Sequence, residues 1–389
     1  MLPYLLPSLL GLLLYTLGAN TSAIQHVSRQ TCQSTGTHCP PGTLIVGSNS
    51  KKASHKTLQS AINSLPHDAS PQTILILEGV YTEQVNVTRA GPITILGQTS
   101  NSKDATKNRV TITWKAGNRD STGNFDNVYS SVMVVAPTLE SSLTGSGTTG
   151  WPVPEDTPFG NRDFRVYNVD FVNTWADYSD GPAHALSLSR ANGGFYYCGF
   201  YSYQDTIYIG KLGNAYFYSS IIAGQTDFLY GFGTAWIQSS AIQLRGCGGG
   251  ITAWKGTNTT TPNKYGVYIV DSDVRAANSS IAPDIKGKCA LGRPWNSQHR
   301  SIFARSYEDG SIKPQGYVDW IVSGVPRYER GVTLMAEYRV YGPGVNETAR
   351  IEGGVTDVLG PREWEKFSTP QKVFGDTRWV DWSAVQGRN

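Results

Sequence analysis

Charge is scarce in this sequence, with 33 Lys and Arg and 30 Asp and Glu making up 16% of 389 residues. An ordinary soluble domain carries roughly 25%. Methionine is limited to three residues, whereas tyrosine reaches 21 and glycine 42. That balance argues against a coiled coil, a helical bundle and a disordered chain, which need more charge and fewer aromatics. The net charge of +3 leaves no basic excess for nucleic acid, so no nucleic-acid partner is expected. It tolerates a polyanionic partner without pointing to one. No G-x-S-x-G elbow occurs, which counts against an α/β-hydrolase esterase. No C-x-x-C pair occurs, and the six histidines, at 26, 38, 55, 67, 184 and 299, form no i, i+2 or i, i+4 pair. A metal centre is therefore not expected.

Long apolar runs are also missing after the first, YLLPSLLGLLLYTL at 4–17. That run is short of the roughly 20 residues that span a bilayer. Gly18, Ala19, Ser22 and Ala23 follow it, so residues 1–23 read as a secretory signal peptide, cleaved after Ala19 or Ala23. The expected protein is secreted and extracellular, with no membrane attachment once the signal is removed. Sequons at Asn20, Asn86, Asn258, Asn278 and Asn346 fit export. Five cysteines in an oxidising compartment leave at least one free thiol or an intermolecular bridge. Cys32 and Cys39 are spaced to close a small loop, and Cys198, inside GFYYCGF, reads as a buried inert thiol.

A Ser/Thr-rich leader, 24–42, precedes the body, 43–389. An amphipathic helix is expected over 57–65, with Leu58, Ala61, Ile62 and Leu65 on one face. From residue 73 onward the pattern is of short β runs between turns, with no strong helices among them. Gly193, Gly213 and Gly233 lie 20 residues apart, each followed three positions later by Tyr196, Tyr216 or Trp236. A fixed period of that size is the mark of a solenoid. The expected fold is all-β, a right-handed parallel β-helix, with the tail from about 351 packing along it or capping its end. The three aromatics read as stacked core rather than sugar platforms.

Asp205 and Asp227 are 22 residues apart, close to that period, and His184 lies 21 before Asp205. Successive rungs of one face would then carry an imidazole and two carboxylates. Two close carboxylates favour divergent pKa values, one group ionised and one protonated. Leu291-Gly292-Arg293-Pro294-Trp295 adds a guanidinium to hold one carboxylate ionised, and an aromatic plate for a sugar ring. Gly145-Ser146-Gly147-Thr148-Thr149-Gly150 fits the dinucleotide pattern G-x-G-x-x-G. Trp151-Pro152 follows where a helix must begin, so it reads as a loop, placed to line the cleft beside the His184 rung.

With these motifs in one order, the chain resembles the pectin methylesterases, carbohydrate esterases built on a right-handed parallel β-helix. The resemblance runs from about 57 to about 345. It rests on Gly79-Val80-Tyr81-Thr82-Glu83, ITILGQ at 93–98, Gln204-Asp205-Thr206, Asp227-Phe228-x-Tyr230-Gly231 and Leu291-Gly292-Arg293-Pro294-Trp295. Ile312-x-Pro314-x-Gly316-Tyr317, followed by Trp320, continues it. The resemblance implies Asp227 as nucleophile, Asp205 as general acid and then base, and Gln204 as an oxyanion donor. It implies Arg293 as the partner of the nucleophile, and Trp295 and Tyr230 as the lining of the substrate cleft. Methyl-esterified pectin is the implied partner, with no cofactor and a monomeric chain. Glu83 reads as structural. Another β-helix pectin enzyme, a lyase or hydrolase, is the alternative, but a lyase's acidic calcium cluster is not seen.

One departure matters. Where the family has a second glutamine in Gln-Ala-Val-Ala-Leu, this chain has His184-Ala185-Leu186-Ser187-Leu188. Imidazole can donate one N–H, so His184 is expected to serve the oxyanion hole with an altered pH dependence, since histidine titrates near about pH 6.5. A weakened or non-catalytic polysaccharide-binding relative is the competing expectation. A plant-type pro-region is not expected, because about 35 residues separate the cleavage site from the helix at 57; this fits a fungal-type enzyme.

Overall fold

The computed structural model describes residues 29, 31–36, 38–118, 126–145, 150–154, 156–256 and 264–385. The expected signal peptide, the sequons at Asn20 and Asn258, and the middle of the 145–150 loop lie outside them. Among the described residues the strands form three long parallel sheets of 11, 8 and 6 strands, plus one short antiparallel pair at Ile321–Val322 and Val325–Pro326. Each turn of chain contributes one strand to each sheet in succession, which is the expected parallel β-helix. Parallel crossovers of this kind are right-handed in nearly all sheets.

The sequence pattern explains the stacking. Phe195 faces Phe217 in register, their rings stacked 5.0 Å apart, and Phe171 stacks on Phe200 at 5.4 Å. These rings fill the interior of the coil, where aromatic contacts add about 0.5–1.5 kcal/mol beyond area burial. From Phe164–Tyr167 to Leu334–Tyr338, each strand of the long sheet is followed by a residue at positive φ, including Tyr197, Ser219, Ser239, Asp271 and Arg305. The next position on successive coils is Ser220, Ser240, Ser272 and Ser306. Each hydroxyl accepts the amide N–H of the coil before it, at 3.0–3.1 Å. A serine ladder thereby pairs the buried turn amides that a bend leaves out of the sheets.

The glycine spacing is not the coil length at its first step. Asn192 pairs with Asn214, 22 residues on, and only the next step, Asn214 to Thr234, is 20. The two extra residues sit in the connection between Ile207–Ile209 and Asn214–Tyr218, which is longer than that between Leu229–Gly231 and Thr234–Gln238. Gly193 therefore faces Ala215, and Tyr196 faces Tyr218. Tyr196, Tyr216 and Trp236 are buried on the outer face of the long sheet, under the C-terminal tail. Trp364 stacks on Tyr338 at 5.3 Å and on Trp236 at 6.4 Å.

The helix at Leu58–Asn63 buries Leu58, Ala61 and Ile62, and Thr57 caps it through the Ser60 N–H. Glu83 accepts the N–H groups of Leu58 at 2.8 Å and Gln59 at 2.9 Å, so its carboxylate meets the positive end of that helix. Cys32 bonds Cys39 and Cys247 bonds Cys289. Cys198 is a buried free thiol, pushed up to about 12 by burial, and is inert for that reason. The leader is joined to the body: Gln33 donates to Gly97 O and Asn168 Oδ1, and Cys32 is fully buried. None of the described residues forms a helix long and apolar enough to cross a membrane.

Near the C-terminal end, Arg350 is fully buried and grips Glu337 with two bonds of 2.8 and 3.0 Å and Glu308 with one of 2.9 Å. Arg350→Leu would strand two carboxylates in the interior. The expected cost is about 3–5 kcal/mol, read as a lowered urea midpoint with an unchanged slope; a loss below about 1 kcal/mol would mean the carboxylates find other partners.

Candidate active site

The six-stranded sheet presents its outer face to a cleft of about 840 Å³. Strand periodicity sets that face: in Leu229–Gly231 Leu229 points inward and Tyr230 outward, and Tyr208 is its neighbour in register. Asp205 and Asp227 each lie two residues before such a strand, Ile207–Ile209 and Leu229–Gly231. Both hold the left-handed conformation, at φ 58° and 47°, which Asp and Asn tolerate better than other side-chain-bearing residues. Each aspartate thus occupies a turn that swings its carboxylate out of the sheet. Gln204 bridges Thr226 in parallel register, so the two carboxylates stand on adjacent rungs and both line the cleft.

Their surroundings differ. Asp227 receives two bonds from Arg293, Nε to Oδ1 at 3.0 Å and Nη2 to Oδ2 at 2.6 Å, and a third from Gly250 N–H at 3.1 Å. Burial raises its pKa, while Arg293 and the amide pull it back. Asp205 has no such guanidinium pair. Burial, and next the charge of Asp227, push Asp205 well above the usual carboxylate range. The bidentate guanidinium thus favours the charged form of Asp227, while burial and the neighbouring charge favour the protonated form of Asp205.

Glycine makes the ion pair possible. Gly249 sits at φ 62°, and a Cβ there would meet Asp227 Oδ1 at 2.5 Å and Arg293 at 2.7 Å; one on Gly250 would meet the Gly292 backbone at 2.6 Å. The glycine run at 248–250 lets Arg293 reach across the coil. Sequence reasoning passed over this run, although three consecutive glycines at the end of a strand signal close backbone approach.

Gln204 lines the cleft with its amide orientation set. Its Oε1 accepts from Gly181 N–H at 3.2 Å and Ser179 Oγ at 3.0 Å, so Nε2 is the end left to donate into the cleft. Trp295 forms a wall and packs edge-on against Trp320 at 4.8 Å, and Arg293 lies 3.6 Å above the Trp320 ring. Tyr230 also faces the cleft, and its hydroxyl accepts from Asn127 Nδ2 at 3.4 Å.

His184 is corrected by the structure. It is fully buried and does not line the cleft. Its Nε2 pairs with the Tyr230 hydroxyl at 2.6 Å, and its Nδ1 with Ser187 Oγ at 2.8 Å and Ser131 Oγ at 3.1 Å. Both ring nitrogens are occupied, so the direct oxyanion donor expected at this position is absent, and the Tyr230 hydroxyl stands between the imidazole and the cleft. Burial lowers the His184 pKa to about 3. A ring neutral across the physiological range cannot impose a transition near pH 6.5, so the expected pH effect falls as well. The sequence placed His184 on the right rung but could not show that the bulk of Tyr230 would roof it.

Asp126 and Asn127, from the connection between the strands Val110–Trp114 and Met133–Val135, and Gly145 and Trp151, from that between Met133–Val135 and Phe164–Tyr167, close the cleft. Asp126 accepts from the amides of Val128, Thr144 and Gly145, which ties residues 144 and 145 to the cleft rim. No cluster of three or more potential metal ligands occurs among the described residues.

The family model described as Pectinesterase matches residues 157–376. The chain is 31% identical over 363 residues to a probable pectinesterase A of Neosartorya fischeri, covering 91% of this chain and 96% of that protein. Its fold is similar to the crystal structure of the pectin methylesterase from Aspergillus niger, with a TM-score of 0.68 at 24% identity over 89% of this chain and 98% of that one. The pectin methylesterase from carrot gives a TM-score of 0.68 at 21% identity, over 88% and 96% of the two chains.

Proposed function

This chain belongs to the pectinesterase family, and from that premise we propose that it hydrolyses methyl esters of pectin to free carboxylate and methanol through an acyl-enzyme on Asp227. The observation that carries the residue assignment is the unequal pair of aspartates on adjacent rungs, with Arg293 holding only Asp227.

In that reading an Asp227 oxygen attacks the ester carbonyl carbon, and the negative charge moves to the carbonyl oxygen. Gln204 Nε2 donates to that oxyanion, the position from which a fixed donor stabilises the transition state most. Asp205 passes its proton to the departing methoxide oxygen, and methanol leaves. The acyl group is then joined to Asp227 as a mixed anhydride. Asp205, now a carboxylate, takes a proton from water as that water attacks the acyl carbon. The Asp227 bond breaks, the carboxylate of Asp227 is restored beside Arg293, and the new galacturonic acid ionises. Trp295 and Tyr230 line the path of the polysaccharide. No cofactor enters this scheme. Secretion behind the 1–23 signal, monomeric action and cleavage of a wall polysaccharide outside the cell belong to the same proposal, supported by the export sequence features.

Methanol release from highly methylated pectin tests it. Purified protein should liberate methanol and one titratable acid per ester cleaved. A folded protein that binds pectin but releases none would leave a binding role instead.

A further inference from the structure

Behind Tyr230, the fully buried side chains of Ser131, His184 and Ser187 share one small set of hydrogen bonds. The two serine hydroxyls lie 2.7 Å apart, and His184 Nδ1 is 2.8 Å from Ser187 Oγ and 3.1 Å from Ser131 Oγ. On the other side of the ring, Nε2 meets the Tyr230 hydroxyl at 2.6 Å. Among the described residues neither serine hydroxyl is paired with any further acceptor. Burial holds the imidazole neutral, its pKa lowered to about 3, so the ring carries a single proton, on Nδ1 or on Nε2.

The proton count decides between the two. With the ring proton on Nδ1, one hydroxyl proton would have to point at a nitrogen that already bears hydrogen. That proton would be left buried without an acceptor, which folded proteins rarely allow. With the ring proton on Nε2, one serine donates to the other, and the second donates to Nδ1. Nε2–H then donates to the Tyr230 oxygen, and every proton in the set is used. The Tyr230 oxygen also accepts from Asn127 Nδ2 at 3.4 Å. With its lone pairs engaged, the phenol has its own proton left to donate, and the side open to it is the cleft lined by Gln204, Asp205 and Asp227. Tyr230 favours the charged form of Asp205, as a donor on that side of the cleft does.

Resting on the esterase reading, we propose that Tyr230 is a catalytic residue whose hydroxyl donates to the oxyanion together with Gln204, and that His184 is a positioning residue that turns the phenol proton toward the cleft. When Asp227 attacks, Asp205 still holds its proton, so the acceptor that gains charge is the ester carbonyl oxygen. A hydroxyl already aimed into the cleft needs no reorganisation as that charge develops, the condition under which a donor is worth most. Ser131 and Ser187 act at one remove, by keeping Nδ1 an acceptor.

Tyr230→Phe removes one oxygen and keeps the ring that packs on Tyr208 at 4.9 Å. Its kcat on methylated pectin should fall about 10²–10³-fold, the usual worth of one such donor, while KM changes little. His184→Leu should lower kcat about tenfold, through loss of the phenol's orientation. His184→Gln, whose amide can turn its oxygen to Ser187 and its N–H to Tyr230, should recover most of that loss. Added to Tyr230→Phe, His184→Leu should lower kcat no further. An unchanged kcat in Tyr230→Phe, or a loss carried by KM alone, overturns the donor role. So does a displaced alkaline limb with no loss at the optimum, which would put the hydroxyl on Asp205. Additive losses in the double variant overturn the role of His184. Nitrogen-15 NMR of the wild type, with the His184 signals assigned against His184→Gln, reads the tautomer without turnover. A proton on Nε2 is expected, and a proton on Nδ1 sinks the proposal. Wild-type protein that releases no methanol overturns the esterase reading and the donor role with it, while an Nε2 proton would still uphold the placement of the phenol proton by His184.

Discussion

Asp227→Asn is expected to abolish methanol release while the protein stays folded. The amide cannot form the acyl bond, and removal of a covalent nucleophile costs on the order of 10⁴–10⁶ in kcat. Asparagine is the appropriate replacement because position 227 holds φ at 47°, a conformation asparagine accepts and alanine resists. Its Oδ1 can still accept from Arg293 Nε, although the Nη2 bond is lost. A melting temperature within a few degrees of wild type, together with undetectable turnover, is the expected pair of results. Turnover near the wild-type rate in this variant would remove Asp227 from the mechanism.

Asp205→Asn should lower kcat by about 10²–10⁴, the usual worth of a general acid–base group. Position 205 has φ at 58°, so the same argument for asparagine holds. Two signatures separate this variant from a structural lesion. First, the wild-type rate needs Asp227 ionised and Asp205 protonated, and both pKa values are raised. Activity therefore falls on the acid side as Asp227 gains a proton and on the alkaline side as Asp205 loses one. The alkaline limb should vanish in Asp205→Asn and the acid limb remain. Second, an aryl galacturonate ester, whose leaving group needs no proton, should acylate this variant and then stall, giving a burst of one equivalent of phenol. A steady slow release with no burst, and both limbs intact, would count against the acid–base role.

Much of the fold was legible because a β-helix repeats its instructions. Short apolar runs, turns at near-constant spacing and an aromatic-rich, charge-poor composition all express one coil stacked on the next. The 22-residue interval between the aspartates predicts adjacent rungs because side chains in parallel register keep their face from coil to coil. The interval between the glycines misled at its first step, since connections between sheets vary in length while strands do not. The period belonged to the 214–234 step alone.

The sequence by itself determined the stacked architecture, the rung of each carboxylate and the family to which those motifs point. It could do so because register and face are local properties, set by alternation and turn position. Tertiary structure alone decided what each group meets. The resemblance named Arg293, 66 residues away, as the partner of Asp227, but only the fold supplied the gap beside glycines 249 and 250 through which it reaches that carboxylate. The fold also roofed His184 with Tyr230, turning an expected donor into a buried neutral ring. Partners and solvent exposure come from chain segments far apart in sequence, and they decide which carboxylate the guanidinium reaches and which side chains meet the cleft.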